Sequence, residues 1–142
     1  MTRHVVTVSM DDSLRQVRDI FDSMKFHHLV VVENGRVVGV ISDRDLLKHL
    51  SPFVGKPTER LQDVGTLNRR VHQLMSRRLV SCTAETTLRE AASAMLAQRV
   101  ECLPVLDARG HCAGIVTMRD MLAWSLVQCV GDQVSCDLPR AA

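Results

Sequence analysis

Two short segments carry the residue types that can do chemistry together. One is Gly39-Val40-Ile41-Ser42-Asp43-Arg44-Asp45 and the other is Gly114-Ile115-Val116-Thr117-Met118-Arg119-Asp120. Each has a glycine on an apolar run, a hydroxyl where that run ends, and an Arg-Asp pair two residues further on. Read as strand followed by helix, the hydroxyl falls at the helix start. A helix N-terminus offers free N–H groups and a partial positive charge, which suit phosphate. The hydroxyl and the arginine add to that. An aspartate three residues past the hydroxyl lies on the same helix face, and its two oxygens can accept from both hydroxyls of a ribose. The combination suits a nucleotide. A simpler reading competes with it: Ser-x-x-Asp at a helix start also resembles a capping box, which needs no ligand. Capping requires neither the arginine nor the glycine, yet both recur.

They recur because the chain repeats itself. With Met1 set against Met75, Met1-Thr2-Arg3 faces Met75-Ser76-Arg77, Thr7 faces Ser81, Leu14-Arg15 faces Leu88-Arg89, and Val31 faces Val105. One extra residue in the second copy's turn then brings Gly39 opposite Gly114 and Arg44-Asp45 opposite Arg119-Asp120. Residues 1–50 form the first unit, 51–71 a linker with a short helix, 72–130 the second unit, and 131–142 an irregular, partly disordered tail. The linker holds Pro52, Gly55, Pro57 and Gly65, and a loose basic group of Lys56, Arg60, Arg69 and Arg70 reads as a solvated face.

Pattern gives each unit the same elements. Val5 to Val8 is a β-branched run, expected as a strand. Asp11-Asp12-Ser13 supplies helix-start residues, and Leu14, Val17, Phe21 and Met24 follow at helical spacing. Leu29 to Val32 is a solid apolar run, and Asn34-Gly35 is a strong hairpin signal before the return strand Val37 to Ile41. A second helix starts at Ser42. The second unit repeats this with strands over 79–82, 102–106 and 112–116, and helices over 87–98 and from Thr117. Leu67 to Ser76 is expected as a short helix with Val71, Leu74 and Met75 as its apolar stripe. The fold class is therefore mixed α/β (α+β): two β-α-β-β-α repeats, neither able to cover both faces of its own sheet, packed against each other by pseudo-twofold symmetry.

These residues and their order resemble the cystathionine β-synthase (CBS) domain family, as a stand-alone tandem pair of bacterial type, the arrangement called a Bateman module. The resemblance rests on Met-Thr-Arg-x-Val-Val-Thr-Val (1–8), on Leu103-Pro104-Val105-Leu106-Asp107, and on the two Gly-to-Asp segments. It implies two clefts between the repeats for an adenosine-containing ligand such as AMP, ADP, ATP, NAD or S-adenosylmethionine, with no required cofactor. It further implies Asp45 and Asp120 as ribose partners, Ser42 and Thr117 near the phosphates, and Arg44 and Arg119 as phosphate contacts. Thr7 and Ser81 match a first-strand hydroxyl near the base. Both copies keep the aspartate, so two usable sites are expected. The departures are Val30 where the family often has proline, as at Pro104, and Ser81-Cys82 where the first copy has Thr7-Val8. They bear on whether the two sites are equal.

Composition narrows the remaining classes. Among 142 residues, 18 are basic and 16 acidic, and aromatics are limited to Phe21, Phe26, Phe53 and Trp124. A single-strand nucleic-acid binder needs stacking aromatics along a basic groove, so no nucleic-acid partner is expected. No apolar run reaches the roughly 18 residues of a membrane span, and no signal-peptide core follows Met1. The five cysteines, Cys82, Cys102, Cys112, Cys129 and Cys136, are odd in number and show no C-x-x-C. They read as reduced thiols in the cytoplasm, with subunit cross-linking through Cys129 and Cys136 as the redox alternative. His27 and His28 point to opposite faces of a strand start and cannot easily share a metal. No nucleophile–base pair supports an enzyme. The helix from Met118 to Val130 is apolar nearly all round and needs burial on most sides, which points to a homodimer. The leading expectation is a sensor acting in trans on an unknown effector protein or through the dimer. A structural or redox-responsive interaction protein without nucleotide is the alternative.

Overall fold

The computed structural model describes residues 1–24 and 26–129. The first repeat holds β1 (Thr7–Ser9), α1 (Leu14–Ser23), β2 (His28–Glu33), β3 (Arg36–Ser42) and α2 (Asp43–His49). A short helix α3 (Leu61–Gly65) and two 3-10 turns (Thr66–Asn68, Val71–Gln73) follow. The second repeat holds β4 (Cys82–Thr83), α4 (Leu88–Gln98), β5 (Cys102–Leu106), β6 (Cys112–Thr117) and α5 (Met118–Cys129). Each repeat builds one three-stranded sheet, β1-β2-β3 or β4-β5-β6, with the outer strands parallel and antiparallel to the central one.

Alternation along the strands divides the core. Leu29, Val31 and Ile41 face the helices of the first repeat and bury Leu14 and Val17 of α1 and Leu46 of α2. Leu103, Val105 and Val116 do the same in the second repeat with Ala91 and Met95 of α4. The opposite faces meet each other: Val30 and Val37 pack with Cys102 and Ile115 in a third cluster drawn from both repeats. The sheets therefore lie back to back, with helices outside. The hairpin turns touch as well, since Val37 N–H donates to the Gly110 carbonyl at 3.1 Å. Asn34 and Gly35 take φ of 49° and 79°, the two left-handed positions that a tight two-residue hairpin turn requires.

Chain exchange locks the pair. Ser76, which leads into the second repeat, pairs with Val40 on β3 of the first, through bonds of 2.9 and 3.2 Å. Thr2, which leads into the first repeat, pairs with Ile115 on β6 of the second, through two bonds of 3.0 Å. Each lead-in thus begins on the other repeat's sheet and ends on its own. This explains why the first strands start later than the expected 5–8 and 79–82. Residues 3–6 and 77–81 are crossing from one sheet to the other and cannot pair along the way. Pro104 accounts for a further residue. Ile115 directs both backbone groups to Thr2, so its opposite number Pro104 faces the β4 side, where it has no N–H to give. In the first repeat Thr7 pairs with Val30; in the second, Ser81 has no such partner and β4 begins at Cys82.

The expected helix over 67–76 does not form. The chain there docks on the loop before α1: the Arg69 carbonyl accepts from Leu14 N–H, Val71 N–H donates to Asp12, and His72 N–H donates to Met10. A continuous α-helix would turn those groups along its own axis. The apolar stripe is nevertheless in place, with Val71, Leu74 and Met75 all buried. Met24, placed on the apolar face of α1 by spacing, lies beyond the helix end and is half exposed, while Ile20 packs against the core. The irregular tail expected over 131–142 lies outside the described residues.

The straps set a steric condition. A Cβ on Gly39 would stand 2.5 Å from the Ser76 carbonyl oxygen, and one on Gly114 would stand 3.0 Å from that of Thr2. Gly39→Ala should therefore destabilise the protein by about 2–4 kcal/mol, as other forced backbone displacements do. Gly114→Ala, with more clearance, should cost roughly half as much. Urea unfolding of the two variants against wild type measures both.

Candidate functional site

The chemistry-bearing segments fold as strand ends feeding helix starts. Ser42 caps α2 and Thr117 caps α5, and the local bonds are nearly identical. Ser42 Oγ–H donates to Asp45 Oδ2 at 2.7 Å, Ser42 N–H donates to the same oxygen at 3.1 Å, and Asp45 N–H donates back to Ser42 Oγ at 3.2 Å. In the second repeat the corresponding distances are 2.9, 2.8 and 3.3 Å, the first two on Asp120 Oδ2 and the third from Asp120 N–H to Thr117 Oγ1. The capping reading is thus correct for both. It leaves room for the other one, because the bonds that each carboxylate accepts all fall on Oδ2. Among the described residues, Oδ1 of each aspartate has no partner. The hydroxyls of Ser42 and Thr117 each donate and accept within the cap, so their work is first to hold the carboxylates in place.

A cavity of about 840 Å³ opens at the seam between the repeats. Thr117, Arg119 and Asp120 form one wall, at the start of α5. Arg44 and Asp43, from the start of α2, reach it from the other repeat, with Glu101 just before β5. The lead-in of the first repeat supplies Thr2, His4, Val5 and Val6, the segment before β2 supplies Phe26 and His27, and β2 itself opens on His28. Ile115, Met118 and Ala123 complete an apolar side. Four of the eight expected site residues bear on this cavity: Arg44, Thr117, Arg119 and Asp120. Ser42 and Asp45 stand at the other helix start, outside its lining, and so do Thr7 and Ser81. Thr7 was expected near the base, but the crossing of residues 3–6 brings His4, Val5 and Val6 to the wall in its place.

The charges are arranged unevenly. Arg44 Nη1 lies 2.7 Å from Glu101 Oε1, joining the two repeats. His28 Nε2 lies 4.0 Å from the other oxygen of Glu101. His27 Nδ1 lies 2.7 Å from Asp43 Oδ2. No carboxylate is within salt-bridge distance of Arg119 among the described residues. Burial holds the His28 imidazole below its ordinary range, against the pull of Glu101 and Asp43. Glu101, His28 and Asp43 were not among the site residues expected from the sequence. A signal existed: in the aligned repeats Glu101 stands where His27 stands, and Met118 where Asp43 stands.

Burial pushes the Cys102 thiol up to about 12, helped by neighbouring Glu101, and raises Cys82 and Cys112 also. All three are free and behave as small apolar residues. The Cys129 side chain and Cys136, the cross-linking candidates, lie outside the described residues. Among the described residues no group of three or more His, Cys, Asp or Glu could hold a metal ion.

Comparison with known proteins agrees with this architecture. A family model for the CBS domain matches residues 1–52 and 71–127. A CBS domain-containing protein of Dictyostelium discoideum is 34% identical over 124 residues, covering 86% of this chain and 85% of that protein. The crystal structure of a Methanocaldococcus jannaschii protein superposes with a TM-score of 0.73 at 29% identity, over 88% of this chain and 45% of that one. A CBS domain pair from the same organism, solved in complex with 5′-methylthioadenosine and S-adenosyl-L-methionine, has a TM-score of 0.72 at 19% identity, over 87% of this chain and 93% of that one.

His28 gives the site a measurable pH signature. Its folded pKa lies below the ordinary histidine value of 6.5, so the folded state binds fewer protons than the unfolded state as pH falls past that value. Its contribution to stability is complete above about 6.5 and is lost as pH drops towards the folded pKa. The difference in unfolding free energy between wild type and His28→Gln should therefore move against wild type from pH 7 to pH 5. Parallel urea titrations across that range measure it.

Proposed function

The chain belongs to the CBS domain family, carrying two copies of the domain, and on that premise we propose that it is a regulatory module for an adenosine-containing ligand. The observation that carries this reading is the convergence at the seam cavity. The start of α5 brings Thr117, Arg119 and the unpartnered Oδ1 of Asp120 to one wall, facing Arg44 of the other repeat. The apolar side made by Val5, Val6, Ile115 and Met118 suits a purine, the free carboxylate oxygen suits a ribose hydroxyl, and the arginines suit a 5′ phosphate. The volume falls within the range of small-molecule sites. The complex of a similar domain pair with 5′-methylthioadenosine and S-adenosyl-L-methionine supports the same class, which here comprises AMP, ADP, ATP, NAD and S-adenosylmethionine.

The proposed role is binding: the carboxylates at the helix starts are held by caps, and the Thr117 hydroxyl beside Asp120 is engaged within its cap as both donor and acceptor. Because both repeats wall the cavity, a ligand that favours one of their relative positions shifts the whole pair towards it. The output passes to an effector protein in trans or through a homodimer. The exposure of α5 supports the dimer. Leu122, Leu126 and Val127 are 65%, 70% and 73% exposed, and Trp124 is half exposed, an apolar surface of the kind that marks an interface. Among the described residues no helix is long and apolar enough to cross a membrane, and the proposed place of action is the cytoplasm. A redox role has less support, since the raised thiols of Cys82, Cys102 and Cys112 resist ionisation.

Titration calorimetry of the five ligands against nucleotide-free protein tests the reading. At least one should bind with micromolar Kd. Asp120→Asn, which keeps a capping oxygen, should weaken it by at least about tenfold, or ~1.4 kcal/mol. Absence of binding by all five would overturn the nucleotide reading in favour of an interaction protein. For the dimer, sedimentation equilibrium should give twice the chain mass, and Leu126→Glu should shift it towards the monomer.

A further inference from the structure

The Arg44–Glu101 pair has no need to exist for the fold. Both side chains are largely exposed, at 71% and 49%, and ion pairs of that kind contribute little stability. Its position is what matters. It spans the two repeats, 57 residues apart in sequence, and both members line the seam cavity. One of the cavity's two arginines is therefore already neutralised by a carboxylate. Asp43 and Asp120 add two more carboxylates, so three acidic side chains line the cavity against two arginines. Arg119 is left as the arginine without a carboxylate partner among the described residues.

A wall built for a triphosphate gathers cations around it, because each added phosphate brings further negative charge into a space of low dielectric. This wall does the reverse. We infer that Glu101 is a specificity-determining residue, which occupies Arg44 and restricts the cavity to adenosine ligands carrying at most one phosphate. The inference rests on the adenosine reading of the site and deepens it. Glu101 acts on the ligand through charge: it repels a second and third phosphate directly and withholds the guanidinium that would receive them. At the start of α5, Met118 N–H donates to the Glu101 carbonyl and Asp120 N–H to Thr117 Oγ1, which leaves the Arg119 guanidinium and backbone N–H for one phosphate. The second repeat supplies Glu101 where the first has His27, so the selectivity is a property of one cleft and not of the duplicated pattern.

The test compares adenosine, AMP and ATP by calorimetry in EDTA, with wild type and Glu101→Gln. The glutamine retains an oxygen for Arg44 and removes the charge. Wild type should bind AMP at least tenfold more tightly than ATP. Glu101→Gln should tighten ATP about tenfold, ~1.4 kcal/mol, while AMP changes by less than threefold. An unchanged thermal midpoint would show the variant folded. ATP binding as tightly as AMP in wild type, or an equal shift of both ligands in the variant, overturns the role of Glu101 and leaves the adenosine reading intact. Failure of all three ligands to bind wild type removes the adenosine reading, and the role of Glu101 with it.

Discussion

Everything in this molecule depends on two sheets that each lack a finished side. The faces carrying Val30 and Val37, and Cys102 and Ile115, are apolar and have only each other for cover. The open edges of β3 and β6 are closed by Ser76 and Thr2, each from the lead-in of the opposite repeat. Burial of the shared faces and backbone pairing at the shared edges are one constraint seen twice, because the straps can reach the edges only when the faces are together. The cavity follows from it. A lead-in that crosses from one sheet to the other carries His4, Val5 and Val6 past the start of α5, and the space between them is the seam cavity.

Local signals were legible in the sequence and long-range ones were not. The hairpin at Asn34-Gly35, the caps at Ser42 and Thr117 and the helices over 14–23 and 88–98 follow from residues within a few positions of each other. The repeat register then supplied the pairing of the two units. What escaped was decided by distant backbone. Strands expected at 5–8 and 79–82 were shortened by the crossing straps and by the missing N–H of Pro104. The helix expected over 67–76 gave way to bonds with Met10, Asp12 and Leu14. The glycines of the matched segments looked like part of a ligand site; Gly39 and Gly114 instead admit the straps at contact distances closed to a Cβ. Of the site residues, those at the helix starts were readable from type and spacing. Glu101 and His28 were not, because the charge opposite a cavity wall belongs to the fold and not to any motif.

Duplication also explains how the two halves came to differ without losing their frame. The capping geometry is the same in both, within a few tenths of an ångström, since it is local and each helix start needs it. Some of the residues that differ lie where the two copies face one another: His27 against Glu101, Asp43 against Met118, Val30 against Pro104. Substitution there changes charge or a single hydrogen bond at the seam and leaves the sheets intact. Charge at the seam can therefore diverge between the two copies while the scaffold stays matched.

The exchanged straps have a consequence for the single repeat. Alone, it would leave its lead-in extending past its own sheet and one strand edge bare. Two separate repeats would complete each other by trading arms, a reciprocal embrace that needs no new surface. Joined through the segment over 51–74, the trade is intramolecular, at an effective concentration of order millimolar for a flexible tether. The chain thus has the geometry of a domain-swapped dimer closed within one polypeptide.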